Sequence, residues 1–469
     1  MNRSRGIYEF INEFRKSKSG LIGLTLIIFF VAVSIFSSLK YPYSEILKWN
    51  DPRYWINNPT NVPPTWIQSI TGKSMPETAI YTATQTSKFN LTYVGKTSII
   101  TTIDQTISFR YDYDDLPKNV IISMNLQYSK NSPSVIVTWI QPDGTKIILA
   151  DFLMDRGAGA PPYYNLSKNM YPLYDSEIKR RLAIYLKSLG QNVELEDINS
   201  LKILFGNNQS LIGLSDLHVQ KGIYRLSISF QSYNLVSDFS GSKVIDDITS
   251  FQLVIGGTVY GLMGTDWWGR DLFTGILLGA PVALLIGLLT SLVSVGVGVF
   301  LGVVSGIYGS RVDDIVQRVT DYFLILPVLP LLIFLSFILR PSIWNLVLLL
   351  SLFGWPNITK VVRSLALQIR ESGYVEAAKA LGASNMRILV RHVLPQTLPY
   401  AFANVALNVP GFIFAEASLS FLGLGDVVLP TWGKILGDAQ LGGASVAGYW
   451  WWVLIPGFCI ILVGMSFAL

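Results

Sequence analysis

Cysteine occurs once in this sequence, as Cys459, and histidine twice, as His218 and His392. One cysteine excludes an internal disulfide, and two histidines far apart in the chain exclude a histidine-based metal site. A Ser/His/Asp or Cys/His set for nucleophilic catalysis also lacks its material, so the chain is expected not to be an enzyme. Charge is scarce too. Only 14% of residues are charged, half are hydrophobic, and mean hydropathy is +0.42, whereas a soluble domain carries about a quarter charged residues. This is the composition of a membrane protein.

Six hydrophobic runs stand out, at 21–38, 276–308, 319–339, 343–358, 397–422 and 450–469. Each is near or above the roughly 17 to 25 residues that a helix needs to cross a bilayer. The run 276–308 exceeds one upright helix, so part of it is expected to tilt or lie at the interface near Pro281. Arg3, Arg5, Arg15, Lys16 and Lys18 precede the first run, which makes segment 1–20 cytoplasmic by the positive-inside rule. No small-residue cleavage site follows, so 21–40 is read as an anchoring span and not a signal peptide. Alternation then places Arg311, Arg318, Lys360, Arg363, Arg370, Lys379, Arg387 and Arg391 inside, while 423–449 has Lys434 as its single basic residue.

Segment 41–262 has another character. Short stretches alternate apolar and polar residues at 120–126, 134–140, 145–149, 223–230 and 251–255, with a Pro142-Asp143-Gly144 turn between the second and third. They read as strands, two of them a hairpin. Asp175 to Leu189 adds a helix with an acidic start. The expected fold is therefore an α-helical membrane protein of six transmembrane helices with a mainly β extracellular domain between helices 1 and 2, and a membrane core at 263–469. Acids and bases are roughly balanced in the insertion, so it is expected not to act through a strong electrostatic field on anionic lipid or nucleic acid, and no nucleic acid is expected as a partner. Aromatics beside turn residues, such as Tyr41, Trp49, Tyr54 and Trp66, make it a candidate docking surface.

Gly264-Thr265-Asp266-Trp267-Trp268-Gly269-Arg270-Asp271 has the glycine spacing of a phosphate loop, but Arg270 replaces the lysine and Asp271 the hydroxyl residue. An acid there repels phosphate, so the nucleotide reading fails. The polar stretch Glu376-Ala377-Ala378-Lys379-Ala380-Leu381-Gly382-Ala383-Ser384 lies instead between apolar runs. Residues 374–381 favour a helix, Gly382 suits a left-handed stop, and Ser384 can cap a second helix that ends before Leu394-Pro395. Two short helices on a glycine hinge form either a knob for a partner's groove or a plain surface connector.

Glu376-Ala377-Ala378, Gly382 and Leu394-Pro395 at this spacing resemble the EAA loop of ABC-transporter permeases. His392, where the general pattern has isoleucine, resembles the dipeptide/oligopeptide/nickel family, second-permease type. Gly264-Thr265-Asp266 with Gly269-Arg270-Asp271, Asp321 with Pro327, and the stretch from Ala415 to Gly425 followed by Pro430 and Trp432-Gly433 resemble the same family. The likeness spans 263–469 and excludes 41–262. It implies type I importer architecture in the cytoplasmic membrane of a prokaryotic cell, with loop 366–396 coupling the chain to ATPase subunits. A homologous second permease, two ATPase subunits that bind ATP and Mg, an extracellular substrate-binding protein and the lipid bilayer are the implied partners, with no cofactor or metal in this chain. The implied cargo is a peptide, with oligosaccharides or nickel as alternatives. The family also adds a short cytoplasmic tail after the position of Leu469.

Gly298, Gly302 and Gly306 form a small-residue ridge for close helix packing. Glu416, with Asn404, Asn408 and Ser420 in the same run, is a candidate for the translocation path, and Arg270 and Asp266 are candidates for an outer gate at which Arg270 meets Glu416. A secondary transporter would show internal repeats and mid-membrane charges. A membrane-anchored receptor would leave five runs unexplained.

Overall fold

The computed structural model describes residues 15–83, 88–94, 98–128, 133–153, 164–207, 218–235 and 247–469. Arg3 and Arg5 lie outside them. Two compact units emerge: Met1–Tyr54 with Leu272–Leu469, and Trp55–Asp271. The first helix, α1 (Lys18–Lys40), is capped by Ser17, whose hydroxyl accepts from Gly20 N–H.

Among the described residues, the Trp55–Asp271 unit holds nine strands in two antiparallel sheets. One has the order β1 (Ala79–Thr82), β9 (Asp247–Gly256), β4 (Asn119–Tyr128), β7 (Tyr164–Met170); the other β2 (Lys88–Val94), β3 (Ser98–Tyr111), β8 (Gly222–Leu235), β5 (Ser134–Ile140), β6 (Lys146–Leu153). β5 and β6 are the hairpin expected around Pro142-Asp143-Gly144, with Ile140 opposite Lys146. Alternation decides what is buried. Val135, Val137 and Trp139 point inward from β5, and Tyr224, Leu226, Ile228 and Phe230 from β8. Asp175 caps α2 (Ser176–Ser188), accepting from Glu177 and Ile178 N–H, and its Ile178, Leu182 and Leu186 stripe joins the same core. α3 (Ser200–Phe205) adds Leu204 and Phe205; the Trp139 indole N–H donates to Leu204 O at 3.0 Å.

This unit starts and ends later than the 41–262 read from composition. Residues before 55 stay with the helices: Trp49 lies where a Cβ on Gly275 would meet it at 2.4 Å, and Asn50 Nδ2 donates to Val427 O and Val428 O. Residues 263–271 stay with the strands, because Asn61 N–H donates to Asp266 O and Thr265 N–H to Val62 O, both at 2.9 Å.

In the helical unit α4 (Leu272–Tyr308) runs unbroken through Pro281. The runs 319–339 and 343–358, each read as one span, fall on bent helix pairs. α5 (Ser310–Ile325) meets α6 (Val328–Ile338) at 87°, and α7 (Ile343–Gly354) meets α8 (Pro356–Arg370) at 44°. Pro327 explains the first bend: it offers no N–H to continue α5, and Leu326 before it is extended at ψ 136°. Four described helices are long and apolar enough to cross a membrane, or up to six if each bent pair is one span. The Gly298/Gly302/Gly306 ridge faces α8; a Cβ there would meet Ile358, Thr359 O and Ala366 at 2.7, 2.8 and 2.7 Å. After α8 come α9 (Gly373–Ala380), α10 (Asn385–Ile388), α11 (Leu394–Phe421), α12 (Trp432–Leu441) and α13 (Trp450–Ala468).

Candidate functional site: the Glu376 loop and the polar face of α11

Gly382 adopts φ +85°, with open space around its missing Cβ. That left-handed residue ends α9 and turns the chain into Ser384, which caps α10 by accepting from Arg387 N–H at 3.3 Å. The second short helix does not end before Pro395. It passes through a π turn, Leu389–Val393, where Leu394 N–H reaches back to Leu389 O, and continues into α11. Pro395 has no N–H, and its ring would press on Arg391 O in a regular turn; the wider turn makes room.

The loop is amphipathic. Val375, Ile388, Leu389 and Val393 pack inward with Ile307, Val362 and Ala366. Glu376 and Ala377 are exposed, Ala378 is half-buried, and Leu381 beside the hinge is 89% exposed. Leu394 is half-buried and Pro395 exposed. Glu376 sits in the first turn of α9 and Lys379 in the last, both favourable to the helix dipole, and both line a cleft of about 750 Å³ with Arg370, Glu371 and Asn385. Tyr374 and His392, the family variant position, set their rings 6.0 Å apart, and Gln396 Nε2 donates to the Tyr374 hydroxyl at 2.6 Å. Tyr374 and Gln396 carried no sequence signal of their own.

The candidate path residues separate into two pairs. Asn404 Nδ2 donates to Tyr400 O and Asn408 Nδ2 to Asn404 O, so both half-buried amides bond their own helix. Glu416 is buried and accepts from the Ser420 hydroxyl at 2.6 Å and from the Thr431 side chain. At 1.5 Å and 100° per residue, Glu416 lies about 12 Å along α11 from Asn408 and about 80° around it. Thr431 also caps α12 by accepting from Lys434 N–H, so Glu416 braces α11 against the start of α12, where a Cβ on Gly433 would meet Ala417 backbone at 2.5 Å.

Asp266 and Arg270 form an ion pair within their own turn, both buried. Asp266 Oδ1 accepts from Trp268 and Arg270 N–H, each at 2.9 Å, so the turn's amides point at its own carboxylate and leave no anion cradle. Gly269 has φ +75°, and Thr265 Oγ1 donates to Pro59 O at 2.7 Å. Burial pushes the Asp266 carboxyl up while Arg270 opposes the shift. Arg270 and Glu416 each have a charged or polar partner inside their own unit.

Three side-chain links in the helical unit escaped the sequence reading. Arg363 grips Asp313 with Nε and Nη2, both at 2.5 Å, and Ser305 Oγ donates to the same carboxylate. Lys360 pairs with Asp321. Asp426 accepts from Ile343, Val428 and Leu429 N–H, tying the end of α11 to α7. Among the described residues no group of three His, Cys, Asp or Glu could hold a metal.

The helical unit carries a family match. The model for the binding-protein-dependent transport system inner membrane component matches residues 298–469. The chain is 36% identical over 205 residues to the dipeptide transport system permease protein DppC of Bacillus subtilis (strain 168), covering 44% of this chain and 63% of that protein. It is 34% identical over 206 residues to the oligopeptide transport system permease protein OppC of the same organism, covering 43% and 67%, and 37% identical over 209 residues to a putative peptide transport system permease protein of Brucella suis biovar 1, covering 44% and 69%. The chain thus spans about two thirds of the length of these relatives. A chain of the solved methionine ABC transporter MetNI, in inward facing conformations, aligns with a TM-score of 0.34 at 19% identity over 42% of this chain and 93% of that one. The chain belongs to the permease family of binding-protein-dependent ABC transport systems. The relatives it matches are named as dipeptide, oligopeptide and putative peptide permeases.

Proposed function

We propose that this chain is one membrane subunit of an ATP-driven importer, crossing the bilayer six times with its amino terminus in the cytoplasm and the Trp55–Asp271 unit outside. It forms the translocation path with a second permease, and two ATPase subunits dock on the Glu376 loop. An extracellular binding protein delivers the cargo. Peptides are the favoured cargo, because the similar proteins are named as dipeptide and oligopeptide permeases.

The observation that carries this reading is the loop itself. A helix ending on a left-handed glycine presents Leu381 almost wholly to solvent, while Val375 and Ile388 root the same segment in the bundle. An exposed leucine on a rooted turn is a knob that gains about 1.5 to 3 kcal/mol when a groove covers it. Motion of the groove then reaches α8 and α11 through Val375, Ile388 and Val393. The polar residues of α11 would border the path where a second permease completes it, with Asp266 and Arg270 shaping the turn before α4.

The test uses Leu381→Asp and Gly382→Val in the assembled transporter. Leu381→Asp should lower ATPase co-purification, and Gly382→Val should abolish cargo stimulation of ATP hydrolysis, since a β-branched residue at φ +85° costs roughly 1–2 kcal/mol. Full stimulation in both variants would remove the coupling role.

A further inference from the structure

Trp66, Ile70, Leu262, Trp267 and Trp268 of the Trp55–Asp271 unit are exposed large apolar side chains, Leu262 to 58% and Trp268 to 40%. They stand on two segments that hydrogen-bond to each other. Trp66 Nε1 donates to Leu262 O at 2.8 Å, and Thr65 N–H to Gly261 O at 2.9 Å. The Trp267 and Trp268 rings stack at 6.3 Å and 12°, and the Arg270 guanidinium lies 5.0 Å over Trp268. The turn that holds these indoles out is built from the buried Asp266–Arg270 pair, so their presentation is fixed by the scaffold.

Such residues have an apolar body and, for tryptophan, one polar N–H, the make-up favoured at a bilayer's headgroup level. Chain connectivity supplies the occupant. Trp268 lies four residues before Leu272, where α4 begins, and no charged residue occurs from Leu272 to Tyr308. Four residues reach at most about 14 Å, so the indoles cannot leave the neighbourhood of the surface that α4 enters.

We propose that this paired segment is a lipid-interface anchor, with Leu262 and Trp267 seated among the headgroups of the bilayer that α4 crosses. The anchor fixes the foot of the β unit at the membrane surface. It requires that α4 spans the bilayer and enters it near Leu272, and stands whether or not the coupling role of the Glu376 loop does.

The single cysteine makes the test direct. In a Cys459→Ala background, spin labels are attached at Leu262→Cys and Trp267→Cys, and at Tyr174→Cys and Ile184→Cys, two other exposed positions of the same unit. The full chain is reconstituted in phosphatidylcholine/phosphatidylglycerol vesicles and the labels are challenged with oxygen and with a water-soluble nickel chelate. The oxygen-to-chelate accessibility ratio should be severalfold higher at 262 and 267 than at 174 and 184. Equal ratios would place the segment in water, and exclusion of both reagents from 262 and 267 would show a protein cover; either overturns the anchor. Leu262 and Trp267 side chains are exposed, so labels there leave the Asp266–Arg270 turn intact, which circular dichroism of the reconstituted chain checks.

Discussion

Between the sheets of the Trp55–Asp271 unit the large apolar side chains of β5 and β8 face in: Trp139, Tyr224 and Phe230 have no exposed surface. In the helical unit Phe337 and Phe402 are 83% and 71% exposed, and the close contacts belong to Gly298, Gly302, Gly306 and Gly433. Water drives the first arrangement, where burying apolar surface contributes roughly 25 cal/mol per Å². Lipid removes that drive, since a tail is as apolar as a phenylalanine, and leaves close approach of backbones as the source of cohesion. The β unit is therefore sensitive to what is taken away and the helical unit to what is added.

The largest effect should come from removing Trp139. Truncation to alanine empties a fully buried site on β5 and deletes the donor to Leu204 O, costing roughly 3–5 kcal/mol. Limited proteolysis should cut the β unit of Trp139→Ala while the helical unit stays protected in detergent. Concerted loss of both units would break the comparison.

Next comes an added side chain. Gly302→Val in α4 drives a β-branched residue at Thr359 O and Val362, each 2.8 Å from the Cβ position, and should lower stability by about 1–3 kcal/mol. Gly296, in the same helix, has nothing within 4 Å. Gly296→Ala should be neutral or gain up to about 1 kcal/mol. Thermal unfolding of both variants in the same detergent reads the difference; equal melting would mean that the ridge does not hold α8.

How much of this was legible depended on whether neighbours in sequence are neighbours in space. The Gly382 turn and the Ser384 cap could be read because both are local chemistry. The π turn could not, since Pro395 announces a missing N–H but not how the preceding turn yields. Pro327 sat inside an apolar run, and an average over that run hides an 87° bend. β3 was missed because its Thr, Ser, Gln and Asp residues mask the alternation that places Ile103, Ile107 and Phe109 in the core. Asp313 and Arg363 are far apart in the chain, and their contact exists only once α5 folds back on α8. For Asp266 the signal was legible and its local chemistry was not: its carboxylate accepts from the Trp268 and Arg270 amides and organises its own turn.

The smallest effects compare ion pairs in the two units. Arg363 and Asp313 meet through two parallel bonds with side chains 30% and 18% exposed, and Ser305 donates to the same carboxylate. Arg180 and Glu177 on α2 meet through one bond of 3.0 Å with side chains 63% and 57% exposed. The bidentate geometry fixes both partners, and reduced solvent weakens screening, so a double-mutant cycle with Arg363→Met and Asp313→Asn should give a coupling of about 1 kcal/mol. The exposed pair should give about 0.3–0.5 kcal/mol at low salt and less as salt rises, because the screening length shortens from about 30 Å at 0.01 M to about 3 Å at 1 M. The cycles are read by thermal unfolding, the first in detergent at two salt concentrations and the second through the β unit's own transition. If the Asp313 cycle falls with salt as steeply as the Glu177 cycle, the α5–α8 contact is an open surface pair, and the glycine ridge alone fixes α8 on α4.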